Sequence, residues 1–492
     1  MPAPNLLFIF TDEQRADTMA AYGNGVIQTP NLNRLAAESV VFDRAYVTQP
    51  VCTPSRSTLM TGLWPHTTGL TENNIPLDES IPCLPEMISR GRYVTGYNGK
   101  WHLGDEVFAQ HGFDEWISIE DMYRVWFREG RDRNARSSYH RFLIESGFRP
   151  AKGDAFGRAE SAGFPEAFSK PAFQAREACR FLRENKDRPF ILCVNFLEPH
   201  MPFTGPRNDQ HDPASVTLPG NFNDPPTSAN HPKYRVFQQR YYAAGFEKRP
   251  LKTEADWRRL IANYWGLCSL VDTYTGKILE ELDNCGLRDN TIVVYTSDHG
   301  DMMGSHRLLA KCVQYEEAIR VPLMIRLPGQ RAGRRVGGAI SHIDVAPTLL
   351  DLMGQPIPDH LQGHSRRDAV EADAPAFCNE DVIVEWNGTN SGISGDKIHE
   401  VNLPDPMPDW LAACGSRGQI ERAIADPIRT ILTPDGWKYN HSAMGCHELY
   451  NLNSDPLETK NLARDPQYAP LMKDLRERIR RWQERTGDAT RL

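Results

Sequence analysis

Three short apolar runs constrain this chain more than any other feature: Leu6–Phe10, Phe190–Phe196 and Thr291–Thr296. None alternates polar with apolar residues, so none reads as a strand with one wet face. Such runs suit strands buried on both faces, as in a parallel sheet covered by helices. Each run stops in polar residues: Thr11-Asp12-Glu13-Gln14, Glu198-Pro199-His200, and Ser297-Asp298-His299-Gly300-Asp301. Open α/β sheets bind ligands at the carboxyl ends of their strands. Asp12, His200, Asp298 and His299 are therefore expected along one sheet edge. Carboxylate oxygens suit Ca²⁺ or Mg²⁺, and Ca²⁺ takes roughly 6–8 oxygens. Any one of these residues could be a turn or cap; their recurrence at one edge argues for a site.

The other elements follow from periodicity. Asn31 to Ala45 reads as a helix opened by Thr29-Pro30, Arg92–Tyr97 as a short strand, and Val321–Ile325 as another. Trp257–Asn284 has Leu267, Leu270, Val271, Tyr274 and Ile278 at helical spacing, and a helix lies around Ile343–Met353. Residues 118–175 show no clean period, and 201–232 are rich in Pro, Asn and Asp, hence loop. With 492 residues the chain exceeds one ordinary core. The expected division is a large α/β domain at 1–375 and a small α+β domain at 376–492. In the latter, Pro434-Asp435-Gly436 turns a hairpin, and Leu471–Arg485 forms a helix with Leu471, Leu475, Ile479 and Trp482 on one face.

A net charge of −8 argues against a nucleic-acid binder, and no apolar run approaches the roughly 20 residues of a membrane span. The start has no basic segment and only a short apolar run, so the expectation is a cytoplasmic protein without a membrane partner. The ten cysteines contain no CxxC pair, which indicates neither a zinc site nor a disulfide framework.

One stretch carries reactive chemistry. Val51-Cys52-Thr53-Pro54-Ser55-Arg56 leads into Ser57–Gly62 and reads as a loop entering a helix, with Pro54 in its first turn and Gly62 as its stop. Cys52 then sits at a helix N-terminus, where free N–H groups and the dipole favour an anion. The Cys-x-Pro-x-Arg spacing resembles the signature of the type I sulfatases, members of the alkaline phosphatase superfamily. Thr11-Asp12-Glu13, Gly99-Lys100-Trp101-His102-Leu103-Gly104, Pro199-His200, Ser297-Asp298-His299-Gly300 with Lys311, and the late Leu449-Tyr450-Asn451-Leu452 also resemble that family, in its order and over nearly the whole chain.

The resemblance implies an alkaline-phosphatase-like α/β fold: a mostly parallel central sheet flanked by helices, plus the small C-terminal α+β domain. It implies that Cys52 is oxidised to formylglycine by a maturation enzyme, and that the aldehyde hydrate is the nucleophile. Asp12, Asp298, His299 and the modified Cys52 are then the ligands of a divalent cation, usually Ca²⁺, with Mg²⁺ or Mn²⁺ as alternatives. Many sulfatases have two adjacent Asp where this chain has Asp12-Glu13, so Glu13 either reaches the metal with its longer side chain or points away from it. Arg56 is expected to hold the cluster by charge-assisted hydrogen bonds. Lys100, His200 and Lys311 are expected on the sulfate and bridging oxygens, with Lys311 or His200 as general acid. His102 is expected to deprotonate the second hydroxyl of the sulfated hydrate, which expels sulfate. Asn73 or Asn74 is a candidate for lining the pocket, with a simple turn as the rival reading.

The activity expected from this resemblance is hydrolysis of a sugar, aryl or small alkyl sulfate. A phosphonate monoester or phosphodiester hydrolase with the same nucleophile is the alternative, and a non-catalytic binding protein a third. Relatives acting on phosphonates tend to lack the Lys-x-His pair, so Lys100 and His102 favour sulfate. Substrate choice is expected in 118–175, 201–240 and the stretch after 380, with Trp126, Arg128, Trp386 and Trp410 as stacking candidates. The partner is then a small-molecule or oligosaccharide sulfate ester; oligomeric state is left open.

Overall fold

The computed structural model describes residues 3–88, 91–372, 376–388 and 403–492. Its strands are β1 Asn5–Asp12, β2 Val40–Tyr46, β3 Val94–Gly99, β4 Glu115–Ser118, β5 Phe190–Pro199, β6 Thr291–Ser297, β7 Arg320–Val321, β8 Leu323–Arg326, β9 Arg334–Ser341, β10 Ala376–Cys378, β11 Val382–Trp386, β12 Ile428–Leu432, β13 Trp437–Ser442 and β14 Glu448–Asn451. The large sheet runs β10-β9-β2-β8-β6-β1-β5-β3-β4, with β7 beside β2. It is parallel except where β7 and β8 enter. The three apolar runs lie side by side at its centre: Leu6 pairs with Ile191 on one side and with Ile292 on the other.

Both faces of these strands are dry, for the reason their composition indicates. Leu6, Phe8 and Phe10 face one core with Ile191, Ile292 and Val294, while Leu7 and Ile9 face a second with Leu192, Val194 and Val293. The helix Glu254–Asn284 covers the second face with Leu270, Val271 and Ile278. The helix Cys52–Thr61 packs Leu59 and Met60 into the first. That placement brings the N-terminus of this helix to the carboxyl edge of β1 and β6.

Several expectations change. The segment Asn31 to Ala45 is two elements, the helix Pro30–Ala37 and β2. The helix stops at Glu38-Ser39, where Ser39 Oγ donates to the Leu35 carbonyl at 2.6 Å, and Val40-Val41-Phe42 then suits a strand better than a helix. The region 118–175 is not uniformly irregular: it contains the helix Ser138–Glu145 and the start of Lys170–Asn185, whose N-cap Ser169 accepts from Ala172 N–H. Ser169-Lys170-Pro171 carries the helix-start signal that would have revealed it.

The small sheet is antiparallel, β11-β12-β13-β14. The helix Ala469–Thr486 covers it with Leu475, Ile479 and Trp482, which also meet Trp64 and Ile343 of the large sheet's layers. Ala376–Cys378 pairs with β9 in the large sheet, just beyond the expected boundary at 375. Among the described residues no helix is long and apolar enough to cross a membrane.

Candidate active site

Cys52 is the first residue of its helix, after an extended Val51, and Gly62 ends that helix in the left-handed region at φ 67°. The whole helix is buried, and Cys52 is 1% exposed. Its Sγ lies 3.2 Å from His299 Nε2 and 3.8 Å from Asp12 Oδ1. Thr53 N–H, an otherwise free donor of the first turn, is accepted by Asn73 Oδ1 at 3.0 Å. Burial and Asp12 push the Cys52 thiol up in pKa, Lys100, Lys311 and His299 pull it down, and the net direction is down.

Asp12 ends β1 and Asp298 follows β6, so parallel pairing alone makes them neighbours. Arg56, itself buried, ties them together. Its Nε donates to Asp298 Oδ2 at 2.8 Å and its Nη2 to Asp12 Oδ2 at 2.9 Å. Its Nη1 donates to the Lys100 carbonyl at 2.6 Å and to Asn195 Oδ1 at 2.7 Å. Lys100 Nζ donates to Asp12 Oδ2. Burial would raise the Asp12 pKa, but Lys100, His200 and Arg56 hold it well below the usual carboxylate range.

His299 Nδ1 donates to the Gly300 carbonyl at 2.9 Å. Its Nε2 faces Asp12 Oδ1 at 3.7 Å and Asp298 Oδ1 at 3.6 Å. Burial would lower its pKa, but Asp298 and Cys52 raise it to about 9, so Nε2 carries a proton that a cation would have to displace to reach the lone pair. One ligand atom from each of Asp12, Cys52, Asp298 and His299 falls within 4.8 Å of the others, and Asp12, Glu13 and His200 make a second such group.

Glu13 sits at φ 69°, in the left-handed region, where a non-glycine residue is strained unless its surroundings hold it. Its N–H donates to Asp298 Oδ1 at 3.1 Å. The carboxylate is buried, and neither oxygen accepts a hydrogen bond from an N–H or hydroxyl group. Lys311 Nζ is within ion-pair distance at 3.1 Å but off hydrogen-bond geometry, and His200 Nε2 is 3.4 Å away. Burial dominates and pushes the Glu13 pKa up to about 8 against the pull of Lys311. Asp301 lies in side-chain hydrogen-bond range of Glu13, so the two carboxyls can share a proton. The carboxyl oxygens of Glu13, Asp12 and Asp298 with the His299 ring form a donor set that fits a hard divalent cation, which would displace the protons held there.

His102 is held from three sides. Its N–H and that of Trp101 both donate to the Glu106 carboxylate, at 2.7 and 2.8 Å. Its ring pairs with Asn74 Oδ1 through Nε2 at 3.0 Å and lies 4.2 Å from the Tyr123 ring. Nδ1 is left buried without a partner. Burial first, then Lys100 and Arg56, lower its pKa well below the imidazole value, which makes it a neutral ring with a lone pair to offer. His200 Nδ1 donates to the Met201 carbonyl at 2.7 Å, and burial and Lys311 depress its pKa too. That tautomer leaves a lone pair, and no proton, on Nε2.

Asp12, Glu13, Cys52, Arg56, Lys100, His102, His200, Asp298, His299 and Lys311 thus converge. Asn73 is drawn to the helix start and Asn74 is the partner of His102, a division that sequence spacing did not resolve. Trp386 is corrected: it is fully buried, with Lys233 Nζ 3.8 Å above its ring, and offers no stacking face. Arg128 is spent on Glu79, Asp105 and the Leu77 carbonyl. Trp410 packs against the cluster of Leu411 and Ile420. Residues 389–402 of the stretch after 380 lie outside the described residues. Sequence reasoning missed Asn195, Glu106, Tyr123 and Arg158. Asn195 interrupts an apolar strand and could have been flagged as a buried polar group; Glu106 and Tyr123 lie in loops and Arg158 in a single helical turn, none within a motif.

The model of the sulfatase family matches residues 4–355. An ulvan-active sulfatase from Formosa agariphila is 28% identical over 99% of this chain and 82% of its own length. An N-acetylglucosamine-6-O-sulfatase from Bacteroides thetaiotaomicron is 26% identical over 99% of this chain and 87% of its own. Among solved structures, a phosphonate monoester hydrolase from Silicibacter pomeroyi superimposes with a TM-score of 0.77 at 23% identity, covering 99% of this chain and 96% of that one.

Proposed function

The chain belongs to the sulfatase family, and from that premise we propose that it cleaves a sulfate monoester of a sugar, an aryl alcohol or a small alkyl alcohol at the Cys52 cluster. The observation that carries this reading is the placement of Cys52. A helix N-terminus holds it against His299 and Asp12, inside a group with Asp298 bound by Arg56.

Asp12, Asp298 and His299, with Glu13 beside them, would hold the divalent cation, Ca²⁺ or alternatively Mg²⁺ or Mn²⁺. When bound, it neutralises sulfate charge and orients a sulfate oxygen. Cys52, matured to formylglycine, supplies an aldehyde whose hydrate has one hydroxyl to attack sulfur and a second to be deprotonated. The maturation also replaces a soft sulfur with hard oxygen in a carboxylate-rich site.

The chain's own residues do the rest. Arg56 keeps both carboxylates in one orientation, so their charge is set before substrate arrives. Lys100 and Lys311 present cations to the sulfate oxygens. Burial would lower the Lys311 pKa, but Cys52, Glu13 and Asp12 raise it, so its Nζ carries the proton that the departing oxygen needs. His102 offers the Nδ1 lone pair to accept a proton at the nucleophile. Asp12, Arg56, Lys100, Asp298 and His299 are buried, which strengthens each interaction among them.

The test combines peptide mass spectrometry across Cys52, on protein from its own host, with turnover of 4-nitrophenyl sulfate and of phenyl phosphonate monoester. An aldehyde at Cys52, sulfate release exceeding phosphonate cleavage, and loss of both in Cys52→Ala are expected. A faster phosphonate reaction would replace the substrate class. An unmodified thiol in a protein that turns over sulfate would remove the nucleophile.

A further inference from the structure

Resting on that sulfatase reading, we propose that Arg158 is a specificity residue of the same site. It receives a second anionic group of the substrate, a carboxylate or another sulfate, beside the ester that is cleaved. Arg158 begins the short helix Arg158–Ser161 in the region between β4 and β5. Its Nε donates to Glu120 Oε2 at 2.6 Å and its Nη2 to the Tyr123 hydroxyl at 2.7 Å. These bonds fix the plane of the guanidinium.

Nη1 is different. It comes 3.5 Å from His200 Nδ1, but that nitrogen already donates its proton to the Met201 carbonyl at 2.7 Å. A nitrogen that donates its proton in a neutral imidazole has no lone pair to accept another. Nη1 therefore has no acceptor among the described residues, and it lies next to a residue of the active site. The side chain is 17% exposed, so the fork is held in place yet reachable.

Glu120 is shared between Arg158 and Lys170, both Glu120 and Lys170 are buried, and the buried Glu198 carboxyl lies within electrostatic reach of both cations. It is therefore the open Nη1 edge of Arg158, and not a surplus of charge, that invites an anion. Tyr123 connects that edge to the reacting cluster: Arg158 lies 5.8 Å and Lys100 5.9 Å from the centre of the same ring, and that ring packs on His102. An anion on Arg158 would sit across one aromatic ring from the sulfate held by Lys100. A planar fork with a free edge suits carboxylate or sulfate oxygens better than a point charge does.

The experiment compares wild type, Arg158→Ala and Arg158→Lys on two substrates. One is a monosaccharide carrying a single sulfate; the other is the same sugar with a second sulfate or a carboxylate. The expected result is that Arg158→Ala raises KM for the doubly anionic sugar about 10- to 100-fold more than it raises KM for the singly sulfated sugar, the range for one charge-assisted hydrogen bond. Arg158→Lys keeps the charge beside Glu120 and is expected to recover only part of the loss. Equal losses on both substrates would overturn the proposal, because Arg158 would then act only by positioning Tyr123 and His200. No loss on either would overturn it too. Calorimetry of the two sugars with Cys52→Ala and Cys52→Ala/Arg158→Ala gives the same comparison without turnover. Failure of the sulfatase reading, seen as no sulfate release by matured wild type, is thereby told apart from failure of the Arg158 assignment.

Discussion

Arg56 shows how much one side chain carries. Its buried guanidinium donates directly to two carboxylates at the ends of different strands, a backbone carbonyl and an amide. Lysine cannot reproduce that fork. Arg56→Lys is expected to lower kcat/KM by about 10²- to 10³-fold, comparable to the loss of a preorganised charge-stabilising donor, which steady-state kinetics would read. It is also expected to destabilise the fold, since breaking a buried pair costs about 3–5 kcal/mol. His102 makes a separate statement about pH. Its pKa is depressed by burial, Lys100 and Arg56, so the ring stays neutral and able to accept a proton well below pH 6.5. The acid limb of kcat is therefore expected below the ordinary histidine range. His102→Gln is expected to cut kcat by about 10²- to 10⁴-fold and to remove any limb that belongs to it. An acid limb at or above pH 6.5 that survives in His102→Gln would contradict this role.

At the scale of elements, the helix Cys52–Thr61 is held from both ends. Asn73 caps its start, and Gly62 turns its end at φ 67°, where an added Cβ would fall 2.8 Å from Leu361 Cδ2. Gly62→Val is expected to destabilise by at least the roughly 1 kcal/mol of a left-handed non-glycine residue, and to lower activity by shifting Cys52. The terminal helix is tied to the same neighbourhood more loosely. Trp482 packs edge-on to Trp64 with ring centres 5.0 Å apart. Trp482→Ala is expected to cost about 3–5 kcal/mol, visible as a lower urea midpoint, while KM of the folded fraction stays unchanged. A changed KM with an unchanged midpoint would mean that this helix reaches the active site instead of supporting the small sheet.

For the whole molecule, buried titratable groups set a pH dependence with opposing parts. His342 is fully buried, and burial alone pushes its pKa down to about 3. A histidine neutral in the folded state and protonated in the unfolded one contributes stability above pH 6.5. That contribution is lost as pH falls from 6.5 toward 3, by about 1.4 kcal/mol per unit. Burial pushes Glu13 and Glu458 up to about 8 and Glu106 to about 7. These carboxylates work in the opposite sense: they favour the folded state as pH falls from 8 toward 4.5. The clean measurement is the difference in melting temperature between wild type and His342→Asn across pH 7.5 to 5. The variant is expected to lose less stability on acidification, and parallel curves would contradict the assignment.

The sequence by itself determined the central sheet and the polar edge where the site gathers. A strand covered on both faces must be apolar along its length, and Leu6–Phe10, Phe190–Phe196 and Thr291–Thr296 can be little else. Once they pair in parallel, Asp12, His200 and Asp298 must meet at one edge. Cys52 and Arg56 were legible because helix-start chemistry is local. Tertiary structure alone decided that Asn31 to Ala45 breaks into a helix and a strand, because short apolar stretches fit both periods. It alone separated Asn73 from Asn74, buried Trp386 beneath Lys233, and brought Tyr123 and Arg158 against His102 and His200. Those contacts join loops far apart in the chain. No periodicity marks them, since which polar side chain meets which is settled only by where the packed sheet leaves the loops.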